Sequence, residues 1–570
     1  MNGTERQTDW DATDWKRTHE NVRRLRQRIF RATRDGDMKK VRSLQKLMLR
    51  SHSNRLVSVR RVSQENKGRN TAGVDKILVK TPRSRGMLVD LLGKKTPWKA
   101  QPVKRVYIPK ANGKTRPLGI PVMFDRALQG VVKNALEPFW EAMFEATSYG
   151  FRPGRSCHDA LEQIFNNAKG QSRKRWVLDA DIKGAFDNIS HDHLLRTIGF
   201  FPARGLIRDW LKAGYVEMGT YHDTESGTPQ GGVVSPLLAN IALHGMENAL
   251  GITRYETGRI RGDLAVVRYA DDFVVFCITK EAAVEVKETI GKWLGERGLT
   301  YSEDKTRIVH LTEGFDFLSV NVRHYAVTNR KSGYKLLMKP SKEAVQRRRD
   351  GLKQIWLSRR GLPHHMMVSV LNPIIRGWAN YHRTNVAKET FKGLDNWMWG
   401  RIKSHLRGCH PSRTYKWYEK KGYLGRLHPT REDNHVYGDR ARGRFLLKFA
   451  WFPIERHTMV KGTSSPDDPS LKGYWDKRRM DKVRKIPKWD RRALILRQGG
   501  RCWLCGESVM EADGNPICYV QSTEEVHRHR VHPGKRGGTY DLTNVRLVHL
   551  MCHQSIHAKL RKEEINDSIE

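Results

Sequence analysis

Residues 1 to about 100 read as basic helices followed by an irregular stretch, "NKGRNTAGVDKILVKTP". From residue 101 the period changes to two. "PVKRVYIPK" alternates as a strand does, "ANGK" supplies an Asn-Gly turn, and "TRPLGIP" continues beyond it. Residues 120–170 read as helices, with turn residues in "SYGFRPGRS". "RKRWVLDADI" is a short apolar strand that ends in acid, and "GTPQGGVVSPLLANIALHGMENAL" is a Gly/Pro loop running into an apolar helix. "RYADDFVVFC", residues 268–277, reads as a hairpin. Residues 340–440 return to helix and are rich in Arg, Trp and Tyr, "KGTSSPDDPSLKG" (461–473) is a linker candidate, and a Cys/His-rich module fills the end. No repeat, low-complexity tract or coiled coil interrupts this order.

The hairpin contains an anomaly. Asp271 and Asp272 stand side by side between the apolar stretches 264–267 and 273–276. Adjacent like charges repel, so the pair needs a neutraliser. Another strand-end acid, Asp181, precedes it in the chain. Three carboxylates from two strand ends can hold two Mg²⁺ ions, which prefer oxygen ligands. Two such ions about 3.5–4 Å apart clamp the attacking 3′ oxygen and the leaving pyrophosphate in phosphoryl transfer. The plainer reading, two solvated acids in a turn, is weakened by the flanking apolar strands.

Composition points the same way. The 570 residues carry 105 Lys and Arg against 61 Asp and Glu, a net charge of +44 spread along the whole chain. Such a chain repels itself and seeks polyanions, which predicts a nucleic-acid partner. No apolar run approaches the roughly 18 residues of a membrane span, and the first residues hold no signal-peptide core, so a cytosolic protein without a membrane partner is expected. The Cys pattern excludes a secreted disulfide framework. "CWLC" (Cys502, Cys505) and "HLMC" (His549, Cys552) are two pairs of soft ligands that suit a tetrahedral structural Zn²⁺. Between 340 and 450, cations such as Arg347, Arg348, Arg359 and Arg376 interleave with Trp356, Trp378 and Trp397; rings alone are more often core, but the combination suits phosphates and stacked bases.

At this point the blocks become recognisable. "YADD" (269–272) is similar to the reverse-transcriptase signature. "VYIPKANGKTRPLGIP" resembles that family's fingers hairpin and "GFRPGRSCHDAL" a helical segment of bacterial intron enzymes. "DADIKGAFDNI", "GTPQGGVVSPLLANI", "GLTYSEDKTRIVH" and "GFDFLSVNV" resemble palm blocks, in the family's order. "NPIIRGWANYHR" (372–383) resembles the thumb, or maturase domain, of group II intron-encoded proteins, and "NKGRNTAGVDK" their N-terminal extension, with Lys76 where Gly is usual.

The resemblance, to the bacterial type, implies an α+β multidomain fold: right-hand polymerase fingers and palm, an α-helical thumb, and a small zinc-containing ββα-metal HNH domain. It divides the chain into an RNA-binding extension (1–100), fingers and palm (101–335), thumb (336–440), a basic DNA-binding segment and linker (441–490) and the HNH domain (491–570). It implies Asp181, Asp271 and Asp272 as Mg²⁺ ligands, with the backbone of Ile182 helping. Phe186 would exclude a ribose 2′-OH, Lys110 and Arg116 would grip the triphosphate, Gln230 would pack against the nucleotide, and Lys305 would donate a proton to pyrophosphate.

Asn544, His553 and His557 fit the N-x₈-H-x₃-H pattern of HNH endonucleases. In that family the two helical His bind one divalent ion, and the Asn orients a strand His that activates water. Family members usually carry an adjacent pair on the strand, whereas here the stretch is His527, Arg528, His529. His527 and His529 share one strand face, which leaves the base and ligand roles open between them.

The implied function is reverse transcription, splicing assistance to an intron RNA and nicking of one strand of target double-stranded DNA, so that the polymerase copies the intron RNA from the new 3′ end (retrohoming). Partners would be the precursor and excised lariat RNA, target DNA and dNTPs, in the bacterial cytosol or nucleoid, with a dimer left open. Two rivals are a maturase-only splicing cofactor with inactive enzymes and a generic retron or defence-type polymerase. The long thumb block and the HNH module disfavour the second.

Overall fold

The computed structural model describes residues 7–94, 98–109, 113, 115–169, 172–255, 260–330, 332–484, 492–510, 526–534 and 537–567, with side chains to 561. Three helices open the chain: α1 (Trp15–Arg34), α2 (Met38–Arg50) and α3 (His52–Arg60). Each starts on a short polar residue whose side chain accepts a backbone N–H of the first turn: Asp14 from Arg17, Asp37 from Lys40 and Ser51 from Asn54. Their apolar faces share a core with α4 (Met123–Met143), through Ile29, Val41, Leu44 and Met48 against Val132 and Leu136.

A four-stranded sheet built on the hairpin expected as the fingers runs β2 (Thr115–Ile120), β1 (Val103–Pro109), β4 (Tyr215–Glu217), β5 (Thr220–His222), and only its β1–β4 pair is parallel. The sheet formed by the expected palm blocks is antiparallel throughout, in the order β8 (Arg307–His310), β3 (Trp176–Asp181), β7 (Asp272–Cys277), β6 (Ala265–Tyr269). It is covered on both faces, which explains why β6 and β7 are continuous apolar runs rather than alternating ones. Leu178, Val266, Phe273 and Val275 face Val286 and Ile290 of α6 (Lys280–Gly295). Val177, Val267, Val274 and Phe276 face Leu161 and Ile164 of α5 (Cys157–Ala168), together with a three-stranded sheet β9 (Phe315–Phe317), β10 (Val320–Ala326), β11 (Tyr334–Pro340).

The stretch expected to form the thumb is α7 (Lys342–Ser358), α8 (His364–His382) and α9 (Lys388–Cys409) around Leu352, Leu371, Ile375 and Leu394. Trp356 and Trp378 belong to this core, 4% and 7% exposed, while Arg347, Arg359 and Arg360 are on the surface. For Trp356 and Trp378 the interleaving does not carry over into space, and those two rings are packing rather than stacking platforms, whereas Arg401 lies 5.4 Å over the half-buried ring of Trp397.

The 461–473 segment is not a free linker. Ser465 and Asp467 are buried. Arg26 of α1 donates from Nη2 to Asp467 Oδ2 at 2.6 Å, Arg155 donates to Gly462 O at 2.6 Å, and Trp475 of α10 (Lys472–Arg484) donates to Ser465 O at 2.9 Å. A Ser/Pro/Asp-rich composition is pinned here by long-range charge pairing. The C-terminal module is a hairpin, β12 (Val526–Arg530) with β13 (Val545–His549), followed by α11 (Leu550–Asp567). It shares a core with the N-terminal extension: Trp10, Trp15 and Val59 pack in one cluster with Val483, Leu494, Val548 and Cys552. Among the described residues no helix is long and apolar enough to cross a membrane.

Lys76, the departure noted in the extension, has φ of +57°. An L side chain there places Cβ against the following carbonyl at a cost of about 1–2 kcal/mol, which explains why glycine suits the position. Lys76→Gly should raise the local opening free energy around residues 73–79 by about 1 kcal/mol, after the extra entropy of an unfolded glycine is subtracted. Amide exchange across that stretch reads it.

Candidate active site and metal centres

The palm sheet register places Asp181, the last residue of β3, directly opposite Asp272, the first of β7. Asp271 lies in the two-residue turn Ala270–Asp271 that joins β6 to β7 through the pair Tyr269–Asp272. Burial first, and then the charges of Asp271 and Asp181, push the Asp272 carboxyl up to about 7. Asp271 is raised as well, mainly by burial and then by Asp181. Three crowded, half-buried carboxylates with no other donor type suit hard dications, and the mutual repulsion is what such ions relieve. The site fits the Mg²⁺ expected from the sequence. Lys305 Nζ forms an ion pair with Asp181 Oδ2, so the structure sets this lysine on the acid cluster. Ile182 is buried and bridges Tyr301.

The nucleotide-side residues also converge. Arg116 on β2 donates from Nε to Gln230 Oε1 at 2.8 Å, and Gln230 Nε2 donates to the Asp187 carboxylate at 3.1 Å. Phe186, 8% exposed, is held through its carbonyl by Thr228 N–H at 2.6 Å and sits edge-on to Phe151. Phe186, Asp187 and Gln230 line a cavity of about 360 Å³ with Pro117, Trp210 and Tyr215. Lys110 lies outside the described residues.

The supports of the Ala270–Asp271 turn escaped sequence reasoning. Ala270 has φ of +58°, a strained conformation for a residue with a Cβ. It is held from below by Arg268, 1% exposed, which donates to Ala270 O at 3.1 Å, Asn240 Oδ1 at 3.2 Å and Ser148 Oγ at 2.7 Å. Asn240 in turn donates to Gly150 O at 2.8 Å, and Gly150 packs directly on the Ala270 backbone. The one visible signal was an arginine inside an apolar strand.

At the C-terminus Cys502, Cys505, His549 and Cys552 bring one ligand atom each to within 4.8 Å of one another, all buried. His549 Nδ1 is 3.4 Å from Cys505 Sγ and 3.9 Å from Cys552 Sγ. A tetrahedron with metal–sulfur and metal–nitrogen bonds of about 2.3 and 2.1 Å has edges of about 3.5–3.8 Å, so the set fits Zn²⁺. His549 Nε2 donates to Ser508 O at 3.1 Å, which fixes the ring with Nδ1 toward the sulfurs.

A second set joins His529, His553 and His557. His553 Nε2 is 3.1 Å from His557 Nε2. Burial and the neighbouring imidazoles hold His553 down at about 4, hence in the neutral, ligating form near neutral pH. His527 stands outside the trio, its Nδ1 3.2 Å from His553 Nδ1. Asn544 departs from its expected role of orienting a strand His. Its side chain accepts from His532 N at 2.7 Å and donates to His532 O at 3.0 Å and Thr539 O at 2.8 Å, closing the loop of the hairpin. Arg528 and Arg530 point to the other strand face, over the Tyr540 ring.

Three domain-family models match the chain in order: the N-terminal domain of reverse transcriptase at residues 10–92, reverse transcriptase (RNA-dependent DNA polymerase) at 108–322, and the group II intron maturase-specific domain at 345–424. Protein YkfC of Escherichia coli is 36% identical over 301 residues, covering 46% of this chain and 78% of that protein. The chain belongs to the group II intron reverse transcriptase/maturase family. Its fold is accordingly the reverse-transcriptase type of polymerase fold. The group II intron-encoded protein LtrA of Lactococcus lactis is 36% identical over 284 residues, 39% of this chain and 47% of LtrA. An uncharacterized 91 kDa protein in the cob intron of Schizosaccharomyces pombe is 31% identical over 358 residues, 49% of this chain and 43% of its own length. The chain thus spans about half the length of these last two relatives. The matched domains end at residue 424, so the reading of the Cys/His module rests on its own geometry.

Proposed function

We propose that this chain copies an intron RNA into DNA, assists the splicing of that RNA, and nicks target DNA through its C-terminal module. The observation that carries the polymerase reading is the register pair Asp181–Asp272 with Asp271 beside it, at the end of a sheet buried on both faces. Asp181, Asp271 and Asp272 would hold two Mg²⁺ ions, which activate the primer 3′ oxygen and neutralise the departing pyrophosphate. Arg116, with Lys110, grips the triphosphate from the fingers. Gln230, braced between Arg116 and Asp187, positions the nucleotide, and Lys305 stands near enough to the acids to protonate the leaving group. Phe186 closes the floor of the cavity where the sugar lies. Phe186→Val should raise ribonucleotide incorporation at least about tenfold, the equivalent of about 1.4 kcal/mol of relieved clash. Competition between dNTP and NTP in single-nucleotide extension reads it.

The extension (1–100) and the thumb (336–440) would hold the intron RNA through their surface cations, and the basic 441–490 segment would hold target DNA. Cys502, Cys505, His549 and Cys552 would carry the structural Zn²⁺. His529, His553 and His557 would carry one divalent ion, which polarises the scissile phosphate, and His527 is the remaining strand imidazole for activating water. Asn544 shapes the hairpin loop.

The test uses the full chain with its lariat RNA and target duplex. One strand should be cut and then extended as DNA. Asp271→Asn should keep the cut and lose the extension. His553→Ala should lose the cut, yet extend a supplied 3′ end. His527→Ala should lose the cut while keeping the bound ion. Cutting by His553→Ala would contradict the nuclease assignment.

A further inference from the structure

The zinc-type cluster is not isolated from the rest of the chain. Three thiolates and a neutral imidazole around a dication leave one net negative charge, and here the site is buried: Cys502, Cys505 and Cys552 are 2%, 3% and 0% exposed. A buried charge is costly unless a partner is buried with it. Among the described residues, a buried cation that touches the cluster is supplied from outside its own module. It comes from the other end of the sequence.

Arg60, the last residue of α3, is 2% exposed. Its Nη2 donates to Cys552 Sγ at 2.8 Å. Its guanidinium lies 4.2 Å over the ring of Trp15 from α1. Its Nε is 3.5 Å from Glu65 Oε1, but that side chain is 41% exposed and shared with solvent. Nε and Nη1 make no hydrogen bond. An arginine buried this deeply with so few acceptors needs a nearby anion, and the metal–thiolate centre is that anion.

We propose that Arg60 is the charge partner of the zinc–thiolate centre, so that the bound metal clips the C-terminal module to the N-terminal extension. The proposal rests on the reading of the four residues as a zinc site. Its consequence is structural coupling: the RNA-binding helices and the nuclease module behave as one body when zinc is bound and separate more readily without it. Arg60 acts here as a positioning residue, through Cys552 and not on substrate.

Zinc content and zinc transfer to a chelator are measured on the purified full chain for wild type, Arg60→Met and Arg60→Lys. About one zinc per wild-type chain is expected, and none would overturn the site reading and the proposal together. Loss of an outer partner typically costs 10- to 100-fold in metal affinity, so Arg60→Met should surrender zinc at least about tenfold more readily, while Arg60→Lys, which keeps the charge, should recover most of the loss. With zinc present in wild type, an Arg60→Met affinity within about twofold of it would overturn the proposal alone. A second measurement needs no variant. Stripping zinc from wild type should raise amide exchange in 52–60 as well as in 502–510, and unchanged exchange in 52–60 would overturn the clip.

Discussion

Asp272→Asn should abolish DNA synthesis and at the same time make the metal-free protein more stable. The loss follows from removing one of three carboxylates that would share the ions. At about 4 kcal/mol of lost transition-state stabilisation, the extension rate falls at least about a thousandfold. The gain follows from the cost of holding that carboxylate. Asp272 is raised from 3.8 to about 7, first by burial and then by Asp271 and Asp181. An acid raised on folding binds its proton more tightly in the folded state, so its contribution is most favourable at low pH and is lost as pH rises through about 7. At pH 8 in EDTA the ionised group therefore opposes folding, and the Asn variant should be more stable by about 2 kcal/mol, an allowance for coupling among the three acids. The difference should shrink as the pH is lowered from 7 toward 4. Thermal unfolding in EDTA across that range, beside primer extension in Mg²⁺, reads both effects. A variant that is inactive and also less stable at pH 8 would show that Asp272 supports the fold rather than strains it.

Gly150→Ala should cost DNA synthesis without touching a ligand. A Cβ at residue 150 would press into the Ala270 backbone and lie 3.0 Å from Ala270 Cα, closer than real Cβ contacts ordinarily come. Neither side can yield cheaply. Gly150 is tied through Asn240, and the turn is tied through Arg268. The turn carrying Asp271 must then shift, and a displacement near 1 Å at reacting groups costs about a hundredfold in rate. Binding of the intron RNA, which the proposed function assigns to the distant extension and thumb, should be unchanged. Extension within a few-fold of wild type would mean that the turn can absorb the methyl.

The hairpin, the palm strands and the aspartates were legible because each is local: an apolar run, a turn and an acid at a strand end. The run "VVFC" is apolar at successive positions, and the structure buries it on both faces, under α5 and α6. What was not legible depends on partners remote in sequence. Arg268 is one arginine among many until Ser148 and Asn240 close around it. Arg60 carries no motif, and only folding sets it on Cys552. The 461–473 segment has linker composition, yet Arg26 and Arg155 fasten it. Trp356 and Trp378, which stand beside arginines in the chain, turn inward because helical period, not nearest-neighbour sequence, decides the face. In the C-terminal module, His529 and not His527 joins the helical histidines, a choice that two residues on one strand face could not reveal.

The central claim is that Asp181, Asp271 and Asp272 form an RNA-directed DNA polymerase centre. Primer extension on an annealed RNA template with Mg²⁺ tests it most directly, comparing dNTP with NTP for wild type and Asp272→Ala. DNA made by wild type alone, with little product from NTP, is the predicted result. Product from both proteins, RNA in place of DNA, or no product from a wild-type chain that still binds RNA tightly would contradict it.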